Sequence, residues 1–227
     1  MDTTQLNQSK LGTREYWDEF YAVEQRNFEA DAQDTGECWF DEDRAAERMV
    51  EFLEEHVGEW RIAPDAAVLD VGCGNGHLLF ALADAGFNGR LRGRDYSERS
   101  VQLARAIGAT HDADVGFHAA DVFSAAWQPG VFDVVLDKGT LDAIALSGMQ
   151  PAGAASVPAA YAAVVERVLA PGGVLLITSC NFTEDELVRL VEAGSGLRKC
   201  GRIAYPEFGF GGKKGSTICS VAFTKAM

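Results

Sequence analysis

The sequence predicts an α/β fold: a doubly wound, seven-strand, mainly parallel sheet with a C-terminal antiparallel hairpin and an N-terminal helical preface. Three observations carry that prediction. An extended run, Val68-Leu-Asp-Val71, passes into the glycine-rich turn Gly72-Cys-Gly-Asn-Gly76, and a helical pattern follows. From Ala66 onward strand and helix patterns alternate, which implies a parallel sheet covered on both faces. The last two strand patterns are joined by Phe208 to Gly215 without a helix, so they are expected to pair antiparallel.

The elements follow in order. Residues 1–64 read as a helical preface. Glu15 to Phe28 carries Trp17, Phe20, Tyr21 and Phe28 at helical spacing. Asp41 to Val57 places Ala46, Met49, Val50, Leu53 and Val57 on one helical face. Strands are expected at 66–71, 90–95, 115–119, 131–137, 173–179, about 199–205 and 217–224, with helices between the first five. Ser97 caps a helix bearing Val101, Ala104 and Ile107. Ser156 caps another, which runs through Leu169 and stops at Pro171-Gly-Gly173. Thr183-x-x-Glu186 is a capping box. Gly209 to Gly215 fits no phosphate-loop register and reads as a turn. No repeat or long linker divides the chain, so residues 1–227 are taken as one domain, with 65–227 as its catalytic core.

Composition narrows the function. The 227 residues are 47% apolar, enough for one sizeable core, and no apolar run is long enough to span a bilayer. Residues 1–10 are polar and show no signal core. Five cysteines without C-x-x-C spacing predict reduced thiols in a cytosolic or nuclear chain, and a cytoplasmic monomer is the expectation. Four histidines, His56, His77, His111 and His118, show no metal-ligand spacing, so no metal is expected and they read as surface or packing residues. A net charge of -14 repels phosphate backbones and argues against nucleic acid, but suits a basic protein partner.

The glycine turn carries the chemistry. A strand ending in glycines under a helix N-terminus lets the backbone approach a ligand. The dinucleotide fingerprint requires glycine or alanine at position 77, and His77 stands there. The shorter spacing resembles motif I of the seven-strand S-adenosylmethionine-dependent methyltransferases. An acid about 20 residues on is expected to hold ribose hydroxyls, and Asp95 ends the next strand pattern. Asp121 closes the third, at the position that lies beside the adenine amino group in such methyltransferases.

A narrower resemblance lies in Asp137-Lys-Gly-Thr-Leu-Asp-Ala143. It is similar to the protein-lysine methyltransferases that modify translation elongation factor 1-alpha. Further matching segments are Gly12 to Tyr21, Trp39-Phe40, Leu176 to Asn181, Thr183 to Leu187 and Phe210 to Ser220. They look like the lysine methyltransferase 2 branch of that family, and the likeness covers the chain from about residue 11. Arg94, Asp41 and Phe182 depart from the family's usual residues.

The resemblance implies S-adenosylmethionine as cofactor and a lysine of elongation factor 1-alpha as acceptor. It sets the methionine end over Gly72 and Gly74, the ribose against Asp95, and the adenine between Tyr96 and the Asp121-Val122 turn. Asp70, Asn75, Gly76 and Ser97 complete the cofactor residues expected around these turns. Family members use preface aromatics at the cofactor, which map onto Trp17, Tyr21 and Trp39. Aromatic faces attract a sulfonium cation and shed water from it. Asp137 is expected to orient the acceptor amine, with Asp142 as second choice and helix-dipole partner as its competing role. Lys138 is expected to meet the cofactor through its backbone, and Trp39-Phe40 to wall the lysine channel.

Three other functions compete with this one. A small-molecule methyltransferase shares everything up to Asp137-Lys-Gly-Thr. An adenine or glutamine methyltransferase would carry an Asn/Asp-Pro-Pro-aromatic loop there. A non-catalytic scaffold usually loses the glycines or the ribose acid, and this chain keeps them.

Overall fold

The computed structural model describes residues 6–111, 114–150, 153–206, 208–210 and 213–227. Nine strands and seven α-helices are described: α1 (Arg14–Ala30), α2 (Ala45–Glu55), β1 (Val68–Val71), α3 (His77–Asp84), β2 (Leu91–Asp95), α4 (Glu98–Gly108), β3 (Val115–Ala119), β4 (Phe132–Lys138), α5 (Thr140–Ala145), α6 (Val157–Val168), β5 (Leu169–Ser179), α7 (Glu184–Gly194), β6 (Arg198–Ile203), β7 (Phe208–Phe210), β8 (Lys213–Gly215) and β9 (Cys219–Thr224).

Seven strands form one sheet in the order β3-β2-β1-β4-β5-β9-β6. β1 pairs parallel with β2 and β4, and β4 parallel with β5. β9 runs antiparallel between β5 and β6, which is the expected C-terminal ending. The central strands are buried on both faces, so they read as nearly unbroken apolar runs. Val68, Val134 and Leu176 face one cluster with Met49, Leu53, Leu79 and Leu103. Leu69, Val135 and Leu175 face the other, with Tyr161, Val165, Leu187 and Val191. α1 lies outside α4, and Gln25 Nε2 donates to Arg99 O (3.1 Å).

The caps form where the sequence sets them. Ser97, Ser156 and Thr183 each accept from a backbone N–H of the first turn, and the Thr183–Glu186 box is reciprocal. Three expectations change. The helix expected from Asp41 begins at Ala45, because Phe40 and Arg44 adopt left-handed backbone angles on either side of a short 3-10 turn. β5 begins at Leu169 rather than 173, and a register shift between Phe132 and Val134 absorbs Pro171-Gly-Gly173. The segment 209–215 is no simple turn. Phe208–Phe210 and Lys213–Gly215 pair antiparallel, while residues 211 and 212, part of the Phe210 to Ser220 motif, lie outside the described residues.

Candidate cofactor and acceptor site

The strand order reverses between β1 and β4, and open α/β sheets bind ligands at such a switch point, beyond the carboxyl ends of the strands. A cavity of about 440 Å³ opens there. Its floor is the turn after β1. Gly72 and Gly74 have φ of 68° and 55°, in the left-handed region that side chains disfavour. The space in front of Gly74 is taken by α1: a Cβ there would stand 2.6 Å from the Tyr21 hydroxyl oxygen.

Carboxylates dominate the walls, with Glu37, Asp70, Asp95, Asp121 and Asp142 facing the cations Arg14, Arg94 and Lys138. Asp95 Oδ2 accepts from Gly74 N (3.1 Å) and Oδ1 from Ser97 N (2.9 Å). A carboxylate has about four acceptor sites, and with the Ser100 hydroxyl also against it, part of that capacity remains for hydroxyl groups of a ligand. Burial pushes the Asp95 carboxyl above the ordinary range, against the Ser97 and Gly74 N–H bonds and the Ser100 hydroxyl. Asp70 is buried and lies on the cavity wall. Among the described residues no hydrogen bond reaches its carboxylate. Burial pushes it up to about 8, with the Lys138 ammonium acting against burial and with Asp137 and Asp95 adding to it. An isolated buried carboxylate of this kind fits a ligand ammonium, and the set of residues fits S-adenosylmethionine, whose amino acid, sulfonium and ribose ends need these partners.

Aromatic rings close the other side. Trp17 stacks on Tyr21 at 6.2 Å and meets Trp39 edge-on at 5.2 Å, and all three line the cavity. Trp17 Nε1 donates to Leu11 O (2.8 Å), and Ser9 N donates to Leu146 O (3.0 Å), so the preface is fixed to the end of α5. A strap, residues 35–39, is stitched to the core. Asn75 Nδ2 donates to Thr35 O (3.1 Å) and Glu37 O (3.0 Å), and the His77 ring bonds Thr35 Oγ1 (3.1 Å). Lys138 Nζ donates to Trp39 O (3.0 Å) and lies 5.9 Å from the Phe40 ring centroid.

The expected site residues divide. Trp17, Tyr21, Trp39, Asp70, Gly72, Gly74, Asn75, Asp95, Tyr96, Asp121, Val122, Lys138 and Asp142 surround the cavity. Gly76, Ser97 and Asp137 stand behind it. The missing side chain of Gly76 leaves room for the Phe117 ring, 2.6 Å from where a Cβ would be. Ser97 is buried between helices and its hydroxyl donates to Asp18 of α1.

Asp137, expected to orient the acceptor amine, stands outside the cavity lining. Asp137 Oδ1 accepts from Thr140 N (2.7 Å) and Oδ2 from Leu141 N (3.1 Å), at the start of α5. It is fully buried beside Tyr161, and burial pushes it to about 7. The role expected of Asp142, partner of the helix N-terminus, therefore falls to Asp137. Asp142 lies on the cavity wall and accepts from Ser179 Oγ and from Cys180 N (2.8 Å). Lys138 reaches the site through its ammonium, not only its backbone.

Thr140, His77 and Arg94 also line the cavity, beyond the residues expected there. Thr140 Oγ1 donates to Val71 O (2.6 Å) and fills the space before Gly72. His77 had a signal, since it breaks the dinucleotide spacing. Arg94 had one too, as a departure from the family pattern.

Comparisons agree with this geometry. Residues 62–213 match the family model described as a methyltransferase domain. The chain is 52% identical over 225 residues to the protein-lysine N-methyltransferase EFM4 of Saccharomyces cerevisiae, covering 98% of each. It is 36% identical over 218 residues to EEF1A lysine methyltransferase 2 of Homo sapiens, covering 96% of this chain and 87% of that one. Magnesium protoporphyrin IX methyltransferase of Synechocystis PCC 6803, solved with bound SAM, shares the fold with a TM-score of 0.57 at 17% identity, over 91% of this chain and 97% of that one. The chain belongs to the protein-lysine N-methyltransferase family of the first two relatives, on the class I S-adenosylmethionine-dependent methyltransferase fold.

Proposed function

We propose that the chain methylates a lysine of translation elongation factor 1-alpha in the cytoplasm. The observation that carries the reading is one continuous cavity whose carboxylates run from Asp95 and Asp121 past Asp70 to Asp142, under an aromatic cover. Its similarity to relatives named for this activity supports the acceptor. Bound in the cavity, S-adenosylmethionine supplies an electrophilic methyl group on a sulfonium centre.

The residues then divide the work. Asp95 would receive ribose hydroxyls on its remaining acceptor capacity, Asp121 and Tyr96 would flank the adenine, and Asp70 would face the amino acid ammonium. Trp17, Tyr21 and Trp39 exclude water, which matters because in-line transfer depends on alignment and a dry site. The preface 1–64 acts as the cover of a single domain. At the other end Asp142, held by Ser179 and Cys180, orients the acceptor amine through its remaining acceptor sites. A free lysine has a pKa near ~10.4 and must lose a proton to attack. Desolvation and the neighbouring sulfonium charge both favour the neutral amine.

The test is transfer of a labelled methyl group to purified elongation factor 1-alpha, with the modified residue located by mass spectrometry. Label appearing in RNA or a metabolite from extract, with none on the protein, would overturn the reading.

A further inference from the structure

The chain is strongly acidic, yet one face of its sheet is basic at the β2–β3 end. In β2 the side chains alternate, so Leu91, Gly93 and Asp95 are buried against one face while Arg92 and Arg94 stand on the other. Arg90, just before the strand, continues the series, with its guanidinium 4.5 Å from the Phe132 ring centroid. Parallel pairing sets Gly116 beside Arg92 and His118 beside Arg94, and Arg94 Nη1 lies 3.0 Å from His118 Nδ1. Burial, then Arg94, Arg105 and Arg92 in turn, push the His118 imidazole below its ordinary range, which shows how closely the cations gather.

Among the described residues no carboxylate pairs with this face. The ion pairs among the described residues use Arg14, Arg44, Arg61, Lys199 and Arg202, and none involves Arg90, Arg92 or Arg94. The connection from β3 to β4, residues 120–131, contains no helix; its Val122, Phe123 and Trp127 pack against the cluster of Leu69 and Val135, while on the β2–β3 end Arg90 and His118 stay exposed and Arg92 and Arg94 half-buried. α4 packs on the opposite face, where Phe117 is buried. Strand addition at the β3 edge is disfavoured, because the Arg105 guanidinium already donates to Phe117 O (3.0 and 2.6 Å). The face therefore offers side-chain charges, spaced by about 6.6 Å at two residues per step along a strand. An extended acidic segment presents carboxylates at the same interval. Nucleic acid also carries regular charges, but the net charge of -14 over the rest of the surface repels a long polyanion.

We infer that the basic face of β2 and β3, centred on Arg92, docks an acidic segment of the protein acceptor. This rests on the protein-lysine reading above. Arg94 belongs both to this face and to the cavity wall, so the docked segment abuts the active site. A basic acceptor surface drawn to the acidic body of the enzyme, with an acidic segment drawn to this face, would be held in one orientation. Complementary charge of both signs fixes register more than it raises affinity.

The test uses the full chain. Arg92→Glu reverses the charge at the centre of the face. Gly116→Asp is a second variant, which sets a carboxylate against the flexible Arg92 side chain. Arg189→Glu, an exposed residue of α7, makes the same net-charge change elsewhere. Calorimetry with an oligoglutamate peptide should show binding that falls at least about fivefold in the first two variants and holds in the third. KM for the intact protein acceptor should rise similarly, while kcat and cofactor affinity hold. Equal effects from Arg92→Glu and Arg189→Glu, or no oligoglutamate binding by the unaltered chain, would overturn the inference. So would lost peptide binding with an unmoved KM, or Arg92-dependent binding of a single-stranded RNA in preference to the peptide. If no protein is methylated, the functional reading fails, and the calorimetry still decides whether the face binds acidic segments.

Discussion

Replacing Asp70 by asparagine should stabilise the protein without cofactor and weaken the binding of cofactor. In an unfolded chain an aspartate ionises near pH ~3.9. In the folded protein burial pushes Asp70 to about 8 against the Lys138 ammonium, and among the described residues no hydrogen bond reaches it. Between those values the folded chain holds a proton that the unfolded chain has lost. This group's contribution to stability is thus complete below about pH 4 and is lost as pH rises to 8, by at most ~1.4 kcal/mol per pH unit. Asparagine carries no such proton. The variant should melt higher than the unaltered chain at pH 8, and its melting temperature should fall less steeply between pH 6 and 8.

Binding has the opposite sign. An ammonium beside Asp70 favours the carboxylate, so cofactor binding at pH 7 should expel the proton. With a pKa of about 8 roughly nine-tenths of the group is protonated at that pH. Calorimetry in two buffers of different ionisation enthalpy should count close to one proton released. A lost charge-assisted hydrogen bond of ~1.5–3 kcal/mol predicts affinity lower by about 10- to 150-fold in the variant. Unchanged affinity together with no released proton would refute the placement of an ammonium at Asp70.

Three further outcomes follow from the site. Asp142→Asn should lower turnover on the lysine acceptor by at least about tenfold and leave cofactor affinity nearly unchanged, whereas Asp137→Asn, which keeps an acceptor for Thr140 N–H, should keep turnover and melt within about 1 kcal/mol of the parent at pH 6; turnover lost in Asp137→Asn with intact melting would return Asp137 to the chemistry. Gly74→Ala should cost about 1–2 kcal/mol and weaken cofactor binding, and Tyr21→Phe in the same chain should restore part of the loss by freeing the space its hydroxyl takes, as a double-mutant cycle would measure. Asn75→Ala with His77→Ala releases the strap and should speed cofactor dissociation by about tenfold or more, read by stopped-flow fluorescence of Trp17 and Trp39; an unchanged rate would make the strap mere packing.

What the sequence made legible is mostly local. The glycine turn, the alternation of elements and the caps at Ser97, Ser156 and Thr183 depend on neighbours within four residues, so spacing alone carries them. Asp137 and Asp142 show where this stops. Both belong to one seven-residue motif, and either could face a ligand. A local signal was present: Asp137 lies three residues before Thr140 and four before Leu141, the reach of a carboxylate that holds a helix N-terminus. The chain turns at Gly139 with φ 88°, which folds that carboxylate under α5 and presents Asp142 to the cavity. The partners of Asp142, Ser179 and Cys180, are 37 and 38 residues away, beyond any spacing rule. His77 and Arg94 were visible as departures, but the strap and the sheet face that give them meaning come from elements 42 and 24 residues off in the chain.

The glycines of the turn bear on why the preface and core act together. Glycine there is commonly read as room for a ligand, yet much of that room is filled by the protein itself: Thr140 before Gly72, the Tyr21 hydroxyl before Gly74, and Phe117 before Gly76. Two of those three side chains belong to the core and one to the preface. The turn is thus a place where α1 closes on β1, and a cofactor lying over Gly74 must share the space with Tyr21. Whatever seats Tyr21 also shapes the cofactor site, and a bound cofactor in turn holds α1, because coupling between two binding events is reciprocal. Asn75 and His77 extend the same logic to the strap, and Lys138 extends it to Trp39. Removing residues 1–40 should therefore abolish cofactor binding rather than weaken it by the loss of a few contacts. Calorimetry on a truncated chain whose sheet signal is intact by circular dichroism would decide this, and retained affinity would show that the core holds the cofactor alone.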